Sequence, residues 1–149
     1  MEQALERRQL IRSPLADVFA FFKDPYNLQA ITPRWLRFEV RGATDGTVRA
    51  GTRIEYSLRW LGLPMHWESV IAEYEDNVLF TDEMIRGPYR RWRHTHLFRP
   101  APGGVEMIDR VRYELPLGFL GSIAHALVVR RQLDRIFDYR SRRVAQLFD

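Results

Sequence analysis

A strict alternation of apolar and polar residues runs through the middle of the chain and constrains its fold most strongly. In the stretch RIEYSLRW, residues 53 to 60, every second side chain is apolar and the side chains between them are polar or charged. A period of two places the apolar side chains on one face of a β-strand and the polar ones on the other. Such strands are typical of an antiparallel sheet with one buried face, which another layer must cover.

Turn sequences divide this region into further strands. The candidates are GATDGTVRAG (42 to 51), LGLP (61 to 64), DN (76 to 77), GP (87 to 88) and PAPGG (100 to 104). Their hairpin spacing predicts a meander of about six strands that begins near Trp35, with Leu36, Phe38 and Val40 on the inner face of the first strand. A further strand over residues 4 to 14 brings the sheet to about seven strands.

Two short helices are predicted between the first strand and the meander. Ser13 is a favourable N-cap and Pro14 suits the first helical turn. After them, Val18, Phe21 and Phe22 share one face at helical spacing. A second start signal at Asp24 and Pro25 predicts another short helix to about Ile31, which Thr32 and Pro33 end.

The C-terminal region returns to a period of 3.6 and predicts one long amphipathic helix. Its apolar stripe consists of Ala126, Val129, Leu133, Ile136, Phe137, Val144 and Leu147. This stripe needs a partner, and the one-sided sheet needs a cover. We therefore predict an α+β fold in which a curved antiparallel sheet grips the C-terminal helix, as a single domain over residues 1 to 149.

Composition limits the classes of function. The chain has no cysteine, which excludes a disulfide framework, a thiolate zinc site and a cysteine nucleophile. Its 23 basic and 19 acidic residues are interleaved, so the net charge of +4 forms no block of like charge. The charged start MEQALERRQL and the shortness of the apolar runs predict a cytoplasmic protein without a secretory signal or spanning helix.

The order of strand, two short helices, six strands and long helix resembles the helix-grip fold of the START, birch-pollen-allergen and polyketide-cyclase-like superfamily, called SRPBCC. Three blocks carry the resemblance: FKDPYNLQAITPRWLRFEV (22 to 40), GPYRRWRHTHLF (87 to 98) and DRVRYELPLGFLG (109 to 121). They are similar to blocks of bacterial ligand-binding members. The resemblance implies a cavity between sheet and helix that binds a hydrophobic or aromatic small molecule, and it implies no named catalytic residue.

The segment RGPYRRWRHTHLF, residues 86 to 98, combines arginines, histidines and large aromatic residues. On a strand, Trp92, His94, His96 and Phe98 point inward, whereas Tyr89, Arg91, Arg93, Thr95 and Leu97 point outward. If RPAPGG (99 to 104) is the hairpin loop, Phe98 faces Val105. That register places His96 opposite Met107 and His94 opposite Asp109, with Tyr113 at the edge of the group.

Four interpretations of His94, His96 and Asp109 stay open. They form a paired polar group within a cavity wall, or they orient a ligand. They act as an acid-base group in which Asp109 orients a histidine and Tyr113 stabilises an enolate-like oxygen. Alternatively, the two histidines bind a metal with Asp109 or His66 as a third ligand. Buried polar groups are usually paired, so the first two are favoured, and we expect neither a metal nor a cofactor.

Several other features have two interpretations each. Tyr56, Trp60 and Trp92 are expected to line the cavity, although Trp60 also suits a packed core. The segment LPLGFLG (115 to 121) suits either a gate or a simple corner between strand and helix. Arg140 falls within the apolar stripe of the last helix, and we expect it to extend outward along its stem.

Interaction with nucleic acid or with a membrane is disfavoured. A single-strand binder needs aromatic and cationic side chains on one exposed surface, whereas here they separate onto opposite faces of a strand. The basic amphipathic helix could lie on a membrane, but its apolar stripe is already needed to cover the sheet. The sequence specifies no oligomeric state.

The sequence thus predicts a protein that binds a small hydrophobic or aromatic molecule, lipid-like or polyketide-like, between its sheet and its C-terminal helix. The predicted ligand-binding residues are Tyr56, Trp60, Trp92, His94, His96, Asp109 and Tyr113. The alternative is an enzyme of the polyketide cyclase or dehydratase type that uses His94, His96 and Asp109 in the same cavity.

Overall fold

The computed structural model describes residues 2 to 116 and 123 to 148, except for the side chain of residue 124. Its strands are β1 Glu2–Ile11, β2 Glu39–Ala43, β3 Arg53–Trp60, β4 Leu63–Glu75, β5 Leu79–Arg86, β6 Arg91–Ala101 and β7 Gly104–Glu114. The α-helices are α1 Leu15–Phe22 and α2 Ile123–Phe148, and 3-10 helices span Pro25–Ile31 and Arg34–Leu36. Most of the predicted gate, residues 117 to 121, lies outside the described residues.

The seven strands form one antiparallel sheet in the order β1-β7-β6-β5-β4-β3-β2. Every strand pairs with its neighbour in the chain except β1, which closes onto β7. Register shifts occur between β2 and β3 and twice between β4 and β5. Such bulges bend a strand and increase its twist. The predicted curved antiparallel sheet is therefore confirmed.

Local sequence explains the helical elements after β1. Pro14, not Ser13, occupies the N-cap position of α1 and gives no side-chain cap, so the predicted helix start was wrong by one residue. The second predicted helix is confirmed, although it is a 3-10 helix. The Asp24 carboxylate accepts a hydrogen bond from the backbone N–H of Tyr26 at 3.0 Å, which satisfies one free donor at the helix start.

The first strand of the meander begins later than predicted. Residues Arg34–Leu36 form a 3-10 turn, and Arg37 adopts a left-handed backbone conformation with φ 48°. This conformation interrupts an extended strand, so β2 begins only at Glu39. The apolar pattern of this segment nevertheless predicted its buried side chains correctly, because Leu36 and Val40 are both buried.

The predicted register between β6 and β7 was wrong by two residues. The hairpin is tighter than a six-residue loop, since Ala101 pairs with Gly104 and the strands continue almost to the turn. Gly103 and Gly104 both have positive φ, which permits the tight turn. As a result Phe98 lies opposite Met107 and His96 lies opposite Asp109. A shift of two residues preserves the face of every side chain.

Helix α2 covers the inner face of the sheet, as predicted. Val129, Leu133, Phe137 and Val144 of its apolar stripe are buried. Polar contacts hold its edge against β1: Arg7 forms ion pairs with Asp134 and Asp138 at 3.0 and 2.6 Å. Within the described residues, none of the helices is long and apolar enough to cross a membrane.

We expect the stability of the fold to depend on this helix face. Replacing Leu133, which is 3% exposed, with alanine should lower the free energy of unfolding by about 2–5 kcal/mol. The matched variant Leu127→Ala changes a side chain of the same helix that is 65% exposed, and its effect should stay within roughly 0.5 kcal/mol. Urea denaturation of both variants measures the difference, and equal losses would contradict the described orientation of α2.

Candidate functional site

A cavity of about 150 Å³ lies between the inner face of the sheet and α2. Helix α2 contributes Leu133, Ile136, Phe137 and Arg140 to its wall. The opposite wall comes from β3, β4, β5, β6 and the bend before β6. The cavity therefore occupies the space that the resemblance implied.

Aromatic residues line much of the cavity wall. Their members are Tyr56, Trp60, Trp67, Tyr89 and Trp92. The rings of Trp67 and Trp92 meet edge to face with centroids 5.2 Å apart. Tyr89 was predicted on the outer face, but residues 87 to 90 form a bend before β6 begins, so the alternation does not apply and Tyr89 is buried. Trp60 is both buried and part of the cavity wall.

A polar cluster, formed by Asp82, His94, His96, Asp109 and Arg140, lies beside these aromatic residues at one end of the cavity. Strands β5, β6 and β7 are neighbours, and they place Asp82 opposite His94 and His96 opposite Asp109. The two imidazole rings stack with centroids 3.8 Å apart. Phe80 stacks on the outer side of His96 at 4.3 Å. The cluster is thus held by rigid strands within an apolar surrounding.

The negative charge of Asp109 is the more fully compensated of the two carboxylates in this cluster. Its Oδ1 atom lies 2.7 Å from His94 Nε2 and 3.4 Å from Arg140 Nη2. Burial alone would favour the neutral acid, but Arg140 and the hydrogen bond from His94 outweigh it and hold the pKa of Asp109 well below its usual value. Asp109 is therefore a carboxylate that orients His94 through its Nε2–H.

The contacts of His96 define its tautomer. Its Nδ1 atom lies 3.3 Å from Arg140 Nη2, and a guanidinium can only donate, so Nδ1 is the acceptor. Its Nε2–H then donates to Asp82 Oδ2 at 2.8 Å. Burial and the neighbouring His94 lower the pKa of His96 to about 4, against the opposing effect of Asp82. His96 is consequently neutral at physiological pH.

Tyr56 places a hydroxyl near this cluster from the cavity side. Burial and the Asp82 carboxylate raise the pKa of Tyr56 well above its usual value, although Arg140 opposes them. The hydroxyl therefore keeps its proton. Among the residues that the structure describes it forms no hydrogen bond, and it is available to a bound molecule.

Arg140 points into the cavity, so the expected outward orientation was wrong. Its side chain is 11% exposed and lies against Asp109 and His96. The guanidinium also lies 5.4 and 5.7 Å from the ring centroids of Phe22 and Phe137. A buried carboxylate at this position makes inward pairing more favourable than extension of the stem into water.

The remaining predicted site residues lie in different places. Trp92 lines the cavity, whereas Asp109 lies behind the histidines and outside the lining. Tyr113 is buried beside Trp92, and its hydroxyl interacts with Arg130, so it stands apart from the polar cluster. Asp82 was missed, although Phe80, Asp82 and Met84 alternate in VLFTDEMI in the way that places them on one face.

One group of side chains could hold a metal ion. Asp82, His94 and His96 each offer a ligand atom, and these atoms lie within 4.8 Å of one another. The histidine rings are stacked and inclined by only 24°, and the Nε2 atom of each ring is already hydrogen-bonded to a carboxylate. The Arg140 guanidinium against His96 also disfavours a cation. His66 lies on the exposed outer face of β4, away from the cluster.

The outer face of β6 is a surface of ion pairs. Arg93 binds Glu83 on the adjacent strand β5 and Glu73 on β4, one strand further away. Arg91 is exposed on the same face. The arginines and the inward-facing Trp92 thus lie on opposite sides of the sheet.

The sequence matches the model of one protein family, described as polyketide cyclase / dehydrase and lipid transport, over residues 11–138. The match covers most of the chain, which therefore belongs to this family. Its membership and its fold confirm the resemblance to the SRPBCC superfamily. No curated protein matches the sequence significantly.

Solved structures share the fold at low sequence identity. Protein CV1439 from Chromobacterium violaceum is 14% identical with a TM-score of 0.72, and the match covers 98% of this chain and 97% of that one. Major latex-like protein 151 from Panax ginseng is 12% identical with a TM-score of 0.70, covering 99% and 97%. Norcoclaurine synthase from Thalictrum, as a point mutant with a transition-state analogue, is 16% identical with a TM-score of 0.67, covering 100% and 98%.

Burial of His96 predicts a loss of stability in mild acid. An unfolded histidine takes up a proton near pH 6.5, whereas His96 does so near pH 4. The unfolded state binds more protons between these values, so the stability falls as the pH falls from 6.5 towards 4, by about 3 kcal/mol at the lower end. Loss from Asp82 and Asp109, whose pKa values are lowered, begins near their unfolded value of 3.8 and continues to lower pH.

Urea denaturation of the wild type and of His96→Gln at several pH values measures this effect. The variant should lose less stability than the wild type between pH 6.5 and 4. His66→Gln, on the exposed outer face, is the matched control and should follow the wild type. A His96→Gln curve parallel to that of the wild type would show that His96 does not resist protonation.

Proposed function

We propose that this protein binds a small, largely apolar or aromatic molecule in the cavity between its sheet and α2. The observation that carries the proposal is the composition of the cavity wall, with aromatic and aliphatic side chains around most of it and a polar cluster at one end. Small-molecule sites combine these features, because apolar walls supply affinity and a few fixed polar groups orient the ligand. The family description, which includes lipid transport, supports the same class of ligand.

The size of the cavity indicates the size of the ligand. A cavity of about 150 Å³ accommodates a molecule of roughly one aromatic ring. Burial of its apolar surface contributes about 25 cal/mol per Å². A larger lipid-like or polyketide-like ligand would require movement of α2 away from the sheet. Within this proposal Tyr56, Trp60 and Trp92 are walls and His94 orients the ligand, whereas both ring nitrogens of His96 are already engaged by Arg140 and Asp82.

Filling the cavity should abolish binding without unfolding the protein. Ile136 lines the cavity from α2, and Ile136→Trp places a larger ring in that space. Val128→Trp adds an indole to the same helix at a side chain that is 51% exposed, and it serves as the matched control. We expect native mass spectrometry of the purified wild type and control to show an adduct that leaves on denaturation, and the Ile136→Trp protein to lack it.

Extraction of that adduct identifies its chemical class. An adduct that survives in Ile136→Trp would place the bound molecule elsewhere. The absence of an adduct from the wild type, together with no binding of single-ring aromatic probes, would contradict the proposed function.

A second candidate function follows from the geometry of His94 and Asp109. A buried carboxylate 2.7 Å from His94 Nε2 orients the ring, and His94 also lines the cavity. This arrangement is typical of a general base or acid. The corresponding activity is that of a cyclase or dehydratase, in which His94 removes a proton next to a carbonyl. His96, stacked on His94 and hydrogen-bonded to Asp82, keeps the His94 ring in place.

Returning the extracted molecule to the apo protein tests this second function. A dehydratase converts it to a product lighter by one water, and a cyclase converts it to an isomer with a different retention time. His94→Gln should then lower kcat by about 10²-fold or more while the molecule still binds. A molecule that stays unchanged over long incubation would leave binding as the function.

A further inference from the structure

The two carboxylates of the polar cluster differ in how far neighbouring groups compensate their negative charge. Asp109 forms an ion pair with Arg140 at 3.4 Å and accepts a hydrogen bond from His94. Asp82 accepts a hydrogen bond from His96 and, within the part of the chain that the structure describes, forms no ion pair with an arginine or lysine. Asp82 rather than Asp109 lines the cavity.

The groups around Asp82 leave its negative charge facing the cavity. His96 is neutral, because its Nδ1 atom accepts from Arg140 and its Nε2–H donates to Asp82. Arg140 directs Nη2 to both Asp109 and His96. The hydrogen bond from His96, together with the nearby Arg140, holds the pKa of Asp82 below its usual value despite its burial. The other polar groups that line the cavity near Asp82 include Arg140, which is paired with Asp109, and the Tyr56 hydroxyl, which keeps its proton.

A buried charge of this kind favours one class of ligand. A carboxylate accepts hydrogen bonds only, and a partner that donates to it satisfies the charge. A second carboxylate in the same small space would be repelled by Asp82 and would lose its water, and the guanidinium in the lining, Arg140, is already paired with Asp109. The aromatic residues beside it also favour a cation over an anion, since ring faces carry negative potential.

We propose that the ligand presents a hydrogen-bond donor, a hydroxyl or an ammonium group, to Asp82 and that the cavity rejects carboxylates. The inference rests on the proposed function, because it assumes a molecule in this cavity. Asp82 then determines specificity. The Tyr56 hydroxyl forms a second hydrogen bond with the same hydroxyl or ammonium group of the ligand. The apolar body of the ligand lies towards Trp67, Trp92 and α2.

Four single-ring probes of similar size test this specificity: toluene, benzyl alcohol, benzylamine and benzoate. Binding is followed by NMR through the indole N–H signals of Trp60, Trp67 and Trp92, which line the cavity. Trp35 is 48% exposed and outside this lining, so its signal is an internal control. At neutral pH we expect benzyl alcohol or benzylamine to bind at least about tenfold more tightly than benzoate.

The variant Asp82→Asn removes the charge and keeps an oxygen that can accept from His96. It should weaken benzylamine by about tenfold or more and bring benzoate to the affinity of toluene or above it. Asp17→Asn removes one charge at an exposed position on α1 and is the matched control for net charge. Its order of probe affinities should be that of the wild type.

The outcomes separate this inference from the proposed function. If toluene perturbs none of the cavity tryptophans and no other probe does, the proposed function fails. If toluene binds and benzoate binds as tightly as benzylamine and benzyl alcohol, the proposed function stands and the inference is overturned. A preference for benzylamine alone identifies an organic cation, and equal binding of the alcohol identifies a neutral donor. Either preference supports the inference only if Asp82→Asn removes it.

Discussion

The mutual burial of one apolar sheet face and one apolar helix stripe is the constraint on which the structure depends. The alternation in β3 leaves Ile54, Tyr56, Leu58 and Trp60 on one face, and the other strands of the meander continue that face. An amphipathic helix of the length of α2 is the cover that the chain supplies. A curved sheet and a straight helix do not meet evenly along their whole length. The cavity is the space where they separate.

The polar cluster distinguishes this cavity from a simple gap in the packing. Burial of two carboxylates between aromatic side chains is costly unless each is compensated. Arg140 crosses from α2 to Asp109 on β7, so the compensation also ties the helix to the sheet. The same arrangement leaves Asp82 facing the cavity with a neutral histidine as its partner. The site therefore combines a fixed interior with one charge that a bound molecule can satisfy.

Much of the architecture was predictable from local patterns, and the departures have physical causes. A period of two correctly placed Trp92, His94, His96 and Phe98 on the inner face, because β6 is a regular strand. It failed for Tyr89, which lies in the bend before that strand. The register of β6 and β7 depended on the length of one hairpin, which two glycines shorten beyond what the loop composition suggested.

The polar cluster itself was only partly predictable. His94 and Asp109 could be paired through their shared face, and Asp82 could have been added by extending the alternation through β5. The inward direction of Arg140 could not be read from its helix alone, because it depends on a carboxylate that lies on a distant strand. Such contacts appear only when the rotation of α2 about its axis is known.

We propose that the space between the sheet and α2 is a largely apolar cavity open to small molecules. Crystals of the protein exposed to xenon pressure would test it most directly, because xenon enters dry apolar cavities without needing a polar partner. We expect xenon density next to Leu58, Leu133 and Ile136, which line the cavity. Collapsed packing of these three side chains, with no xenon between them, would contradict it.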